Sequence, residues 1–387
     1  MKHNSGGPKI TVVIPTRERA DVFASALRTV TTQDYDNLEI LVSDNLSGDA
    51  TEEIARNTGD PRVRYLNTGK RLSMSHNWEF ALSHVTGDWV TIVGDDDGLL
   101  PSALRNVAEF MRASDALAIQ SATCKYRWPG NNGKGYGHIR VPMRQGHEIR
   151  SSKRWMEKVL RGRANYIELP ILYTGGFARM TLLHELKRKT GAFYKSRIPD
   201  VYSGFAIASL IPTYAFSHAP FAISGISKHS TGVDAYSKGD KSAQSPAQKF
   251  ALEENMPFHK DVPLMAQGGL PPSPQALIFE SFLQTAELRE GGPIEPFDRQ
   301  LAVILANSPP DDETLHNWAS AFARMHGFDY ERARFRSHLD RLKRKLAAMP
   351  RNLARNRRRL GSAAELIPNV YDASLAVAAI LGEGRRW

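Results

Sequence analysis

Apolar and polar positions follow two periods over the first 125 residues. Short β-branched runs at Ile10–Ile14, Leu38–Val42, Val63–Leu66, Trp89–Val93 and Ala116–Ser121 predict strands. They are continuous rather than alternating, as expected where both faces of a sheet are covered. Between them the apolar spacing lengthens towards 3.6. One helix is predicted over Asp21–Gln33, with Val22, Leu27 and Val30 inward, and another over 73–85, carrying Trp78, Phe80 and Leu82. Asp49 and Glu52 have capping-box spacing for a helix after the second strand, and Pro101 opens one after the fourth. Repeated β–α–β units imply an α/β fold with a Rossmann-like, mainly parallel sheet, right-handed crossovers and flanking helices.

The pattern weakens beyond residue 124. Residues 125–150, rich in Gly, Arg and Lys, read as a long loop or a hairpin, and 151–161 and 179–190 as helices, with Thr174-Gly175-Gly176 between them. Val201–Ser227 contains no Asp, Glu, Lys or Arg, which is long enough to span a bilayer. Pro212, Pro220, His218 and several hydroxyls interrupt it, so a buried helix followed by a strand is the better reading. The stretch 228–275 is rich in Ser, Gly, Pro and Lys; 274–289, 297–307, 311–326 and 329–348 then return to helical spacing. The expected organisation is a catalytic domain over 1–230, a flexible linker over 231–272 and a helical, basic region over 273–387.

Composition sharpens this in two places. The single cysteine, Cys124, excludes an intramolecular disulfide, and the polar N-terminus lacks the form of a secretory signal, so a cytoplasmic protein is expected. The net charge of +10 comes entirely from residues 331–359, which hold twelve Lys and Arg against Glu331 and Asp340. Within 329–348, Phe335, Leu339, Leu342 and Leu346 share one helical face, with Lys and Arg elsewhere. Such a helix either lies on an anionic membrane surface, peripheral to the inner face, or packs on the protein with its cationic face in water. No nucleic-acid module accompanies the basic run, so no nucleic-acid partner is expected.

Candidate chemistry concentrates at Asp95-Asp96-Asp97, where an apolar strand ends abruptly in three carboxylates. Like charges this close repel, and burying them unpaired is costly. A hard divalent cation, Mn²⁺ or Mg²⁺, would relieve the repulsion and favours carboxylate and phosphate oxygens. The competing reading is a solvated acidic turn. The strand's carboxyl end is where open α/β sheets bind ligands. The first strand, however, ends in Pro15-Thr16-Arg17-Glu18-Arg19, without the G-x-G-x-x-G turn of dinucleotide-binding folds.

Taken with Ser43-Asp44-Asn45 after the second strand and Gly94-Asp95-Asp96-Asp97 after the fourth, that turn gives three motifs in order. On them, residues 9–230 resemble the family-2 glycosyltransferases of GT-A fold. The resemblance implies an inverting transferase that takes a sugar from a nucleotide-sugar, commonly a UDP-sugar, to a glycan or lipid-linked acceptor. It implies that Pro15, Thr16 and Arg17 lie against the base and ribose, that Asp44 hydrogen-bonds the uracil, and that the acidic cluster meets ribose and metal. The usual family pattern reads Asp-x-Asp-Asp; alignment on Pro101 puts Gly94 at its first Asp. Asp96 and Asp97 are therefore expected near the metal, and Asp95 near the ribose or diphosphate. Arg71 is a candidate phosphate partner or a solvated surface cation. His229 is a further metal or diphosphate candidate, by likeness to a late His in related enzymes, with Lys228 beside it.

Inversion requires a base across the donor from the metal. In the resembling family it is a downstream acid following a Gly-Gly segment; the candidate here is Asp200, with an ordinary helix cap as the alternative. Gly175 and Gly176 would let backbone approach the sugar, or form a plain turn. The rival functions are a nucleotide-sugar-binding protein without transfer activity and a membrane-associated scaffold built on the basic C-terminal helices.

Overall fold

The computed structural model describes residues 7–129, 137–230, 253–266, 268–289, 296–348, 357–360 and 367–382. The first half alternates as the periodicity requires: β1 (Ile10–Thr16), α1 (Ala20–Thr31), β2 (Leu38–Asp44), α2 (Thr51–Arg56), β3 (Val63–Asn67), α3 (Met74–Leu82), β4 (Trp89–Ile92), β5 (Gly98–Leu99) and α4 (Ala103–Ser114). β1 pairs in parallel with both β2 and β4, and β2 with β3. Their carboxyl ends therefore share one edge. Alternate residues of β1 enter different cores, Val12 and Ile14 on one face and Val13 on the other, which is why the run is apolar throughout.

Beyond α4 the sheet becomes mixed. β6 (Ala118–Arg127) continues past the end expected at Ser121, and 125–150 supplies β7 (Ile139–Pro142) and β8 (His147–Ser151). After α5 (Ser152–Leu160), Gly176 and the three residues that follow it form β9 (Gly176–Arg179), antiparallel to both β4 and β6. Four residues with glycines ahead of them carry no period; the pairing comes from two strands distant in sequence. α6 (Met180–Thr190), α7 (Pro199–Leu210) and the long β10 (Thr213–Ile226) follow, and β10 runs parallel to β6 with a register shift between Ser217 and Ala222.

The uncharged segment is explained by α7, which is buried on two sides. Val201, Phe205 and Ala208 enter one core, while Tyr202, Ala206 and Ile207 enter another. Among the described residues no helix is long and apolar enough to cross a membrane.

The first of those cores is shared with α8 (Pro274–Leu283), α9 (Phe297–Ala306), α10 (Glu313–Met325) and the start of α11 (Tyr330–Ala348). β11 (Arg357–Leu360) pairs with β7, and α12 (Val370–Gly382) returns to pack on α1, where the Arg28 guanidinium lies 4.0 Å above the Tyr371 ring. Of the stretch 231–272, residues 231–252 and residue 267 lie outside the described residues. The part described, 253–266, is fixed by Arg197 Nε donating to the Met256 carbonyl and Trp318 Nε1 donating to the Pro263 carbonyl, each at 2.7 Å.

Phe205 is fully buried and meets Phe282 of α8 edge-on, with ring centroids 5.4 Å apart. Phe205→Ala should cost about 3–5 kcal/mol, the range for deleting a buried aromatic. Urea denaturation checks this; a loss below about 1 kcal/mol would mean that α7 and the C-terminal helices do not stabilise one another.

Candidate active site

All three carboxylates of the triplet are buried, and each is answered by a different part of the chain. Asp95 Oδ1 accepts from Arg19 Nη1 at 2.8 Å, and Arg19 Nη2 also donates to the His229 carbonyl at 2.5 Å. Burial disfavours the charged guanidinium, but Asp95 and Asp96 outweigh that and hold its pKa above the ordinary value. Burial also raises the Asp95 pKa, partly offset by Arg19. Asp96 Oδ2 accepts from Ser227 Oγ at 2.6 Å and Ser230 Oγ at 2.7 Å, both just beyond β10. Asp97 accepts from the Gly225 N–H at 2.7 Å, from the Thr174 hydroxyl and from the Tyr173 hydroxyl.

Two glycines permit this convergence. A Cβ at position 94 would lie 2.5 Å from the Tyr173 hydroxyl and 2.8 Å from Asp97 Oδ2; one at 225 would lie 1.8 Å from the Asp96 carbonyl oxygen. Gly94 thus stands where the common family pattern has an acid because Tyr173 and Asp97 fill that space.

Beside the triplet is a recess of about 80 Å³, lined among others by Pro15, Thr16, Arg17, Gly94, Asp95 and Tyr173. Trp78, buried in the core, also forms part of its wall, stacked on Tyr173 with ring centroids 5.3 Å apart. Arg17 pairs with Glu253 at 3.0 Å, and the Glu254 carbonyl lies 3.0 Å from His76 Nδ1. The recess is smaller than the roughly 300–1,000 Å³ usual for ligand pockets.

The remaining sequence-predicted residues stand around it. Asp44, in register with Thr16, accepts from the Tyr65 hydroxyl at 2.6 Å and from the Ser47 N–H at 2.9 Å. Burial first, and the Asp44 contact second, push the Tyr65 hydroxyl up to about 12. Arg71 is paired with Glu18. His229, read as a metal or diphosphate contact, is engaged by Asp21: its Nε2 lies 3.0 Å from both oxygens of that carboxylate, which also pairs with Lys228 at 3.0 Å. Among the described residues no cluster of three or more His, Cys, Asp or Glu is arranged to hold a metal.

Asp200 lies in the first turn of α7 and accepts from the Tyr166 hydroxyl at 2.9 Å. Burial raises its pKa, against the Tyr166 and Val201 N–H hydrogen bonds. Burial, and then the charges of Asp97 and Asp96, hold the Tyr173 hydroxyl well above its ordinary value. Sequence reading missed Arg19, Tyr173, Thr174, Ser227 and Ser230. Arg19 was legible as the second cation in the turn after β1; the others carry no local signal, because they meet the triplet only through the sheet.

With this geometry in place, relatives can be compared. Residues 11–182 match the family described as Glycosyl transferase family 2. The GalNAc(5)-diNAcBac-PP-undecaprenol beta-1,3-glucosyltransferase of Campylobacter jejuni is 32% identical over 132 residues, 33% of this chain and 42% of that protein. The succinoglycan biosynthesis protein ExoO of Rhizobium meliloti is 27% identical over 30% of this chain and 32% of its own length. The match thus spans less than half of each of these relatives. Among solved structures, S. aureus TarS 1–349 in complex with UDP-GlcNAc has a TM-score of 0.48 at 13% identity, covering 86% of this chain and 89% of that one.

The triplet predicts a pH signature. Burial, and then the Asp96 charge, push the Asp97 carboxyl up to about 6, against the donors from Thr174, Tyr173 and Gly225. The unfolded value is about 3.9, so the folded chain holds this proton longer. The group's contribution to stability is full below about pH 4 and is lost as pH rises through about 6. Relative to Asp97→Asn, the wild type should lose thermal stability across that window and level off above it. A pH-independent offset between the two melting curves would refute the assignment.

Proposed function

We propose, from the match of residues 11–182 to the family described as Glycosyl transferase family 2, that this chain transfers a sugar with inversion from a nucleotide-sugar to an acceptor hydroxyl. The observation that carries this reading is the placement of Tyr173. It lines the recess at the carboxyl ends of β1 and β4 and donates to Asp97. That contact supports reading the recess and the acidic cluster as parts of one crevice, where open α/β sheets bind ligands.

In this reading Pro15, Thr16 and Arg17 hold the base and ribose, Asp44 contacts a uracil, and the donor is a UDP-sugar. Arg71 serves a phosphate only by leaving Glu18. Three adjacent carboxylates are a hard oxygen set whose mutual repulsion a cation relieves, so the site's chemistry fits Mn²⁺ or Mg²⁺. Asp96 and Asp97 would hold that ion, which supplies charge neutralisation for the departing diphosphate. His229 joins them only if it leaves Asp21. Asp95, held by Arg19, faces the ribose or diphosphate. Asp200 accepts the proton of the attacking hydroxyl; its raised pKa makes it a stronger base than an ordinary carboxylate. The acceptor is a glycan or a lipid-linked glycan precursor. The reaction is assigned to the cytoplasm, to which a chain with one buried cysteine and no disulfide is suited.

Asp200→Asn should reduce transfer by about 10²–10⁴-fold while nucleotide-sugar binding persists. The rising limb of the wild-type pH–rate profile should vanish with it, because Asp200 must be ionised to accept a proton. Asp96→Ala should instead abolish the Mn²⁺-dependent thermal shift given by UDP-sugars. Full transfer by Asp200→Asn would remove the base assignment, and a wild type that neither binds nor turns over any nucleotide-sugar would remove the function.

A further inference from the structure

The outward face of α11 is unlike the rest of the described surface. The helix packs on α9 through its small side: Ala333 and Ser337 are buried, Arg336 pairs with Asp298, and Arg341 Nη2 donates to the Leu305 and Ser308 carbonyls at 2.6 and 2.9 Å. These contacts fix the rotation of the helix. At 3.6 residues per turn, Phe335, Leu339 and Leu342 then fall on the side opposite Ala333 and Ser337. They are 65%, 40% and 57% exposed, a contiguous apolar stripe on a helix rich in Lys and Arg. Arg332 and Lys343 flank the stripe on one side, and Arg334 and His338 on the other, all exposed. Among the described residues of α11, only Glu331 and Asp340 carry negative charge, and Glu331 lies 3.5 Å from Arg334.

We propose that this face docks on an anionic lipid bilayer, with Phe335, Leu339 and Leu342 entering the headgroup–acyl boundary and the flanking cations meeting lipid phosphates. An apolar centre between two basic margins matches a bilayer interface, where long cationic side chains reach the headgroups while apolar ones go deeper. The +10 of residues 331–359 supplies long-range attraction to such a surface. A nucleic-acid backbone would leave the apolar centre uncovered, and a second copy would bring like charge against like. The inference stands on α11 and does not depend on the transfer reaction.

The test is co-sedimentation of the full chain with phosphatidylcholine vesicles and with vesicles about one third phosphatidylglycerol. Wild type should bind the anionic vesicles and not the neutral ones. The triple variant Phe335→Ser, Leu339→Ser, Leu342→Ser should bind at least about tenfold more weakly. It should keep a cooperative melting transition, since Phe335 and Leu342 face away from the protein and Leu339 only borders a recess against α9. Phe335→Trp should retain binding, with tryptophan emission shifted to the blue on adding anionic vesicles. Four outcomes overturn the proposal: no vesicle binding, vesicle binding that the serine variant keeps, equal binding to double-stranded DNA that the serine variant loses, or a wild-type dimer that the serine variant dissociates.

Discussion

The burial of three consecutive carboxylates is the constraint on which the centre of this molecule is built. Each carries a solvation cost that water no longer meets, and each is met by a separate element: Asp95 by Arg19 at the start of α1, Asp96 by Ser227 and Ser230 after β10, Asp97 by Thr174 and by the Gly225 N–H of β10. The loop after β4 is therefore the place where both halves of the sheet are joined. The glycines follow from the same constraint, because neither 94 nor 225 has room for a Cβ. What remains unbalanced after these contacts is excess negative charge, with the Arg19 guanidinium and the Lys125 ammonium against three acids. A site left in that condition is suited to a cation and to the polyanion that a cation accompanies.

Much of the amino-terminal half was legible because its signals are local. A continuous apolar β-branched run means a strand covered on both faces, and β1, with Val12 and Val13 in opposite cores, shows why. Asp95–Asp97 and Pro15–Arg17 were equally legible, since a strand that ends in acids or in a Pro-Thr-Arg turn stands out against its own apolar body. What could not be read were partnerships. β9 exists because β4 and β6 both lack a neighbour that only tertiary folding supplies. Tyr173 looks like any aromatic in an apolar stretch until Trp78 stacks on it and Asp97 accepts its hydroxyl.

Asp44 and His229 show a subtler limit. Both are engaged by neighbours: Asp44 by Tyr65 and Ser47, His229 by Asp21. A motif specifies which side chain is present at the crevice, whereas its orientation depends on competitors whose spacing the motif does not encode. Asp21 lies 208 residues from His229 in sequence and yet takes its imidazole.

The same reasoning separates the two helices in which apolar residues dominate the reading. α7 has no basic residue and one acid, Asp200, in its first turn, so apolar surface on every side has only one stable place, between two cores. α11 has an apolar stripe and a basic remainder, a pattern equally compatible with facing inward or outward. The stripe does not decide between them; Ala333, Ser337, Arg336 and Arg341 do. Two small residues allow close approach to α9, and two arginines find Asp298 and the carbonyls at its carboxyl end. Once those arginines are satisfied, the rotation is set and the large apolar side chains are carried outward. Hydrophobic periodicity thus predicts that a helix has a greasy face, and buried polar contacts determine which way that face points.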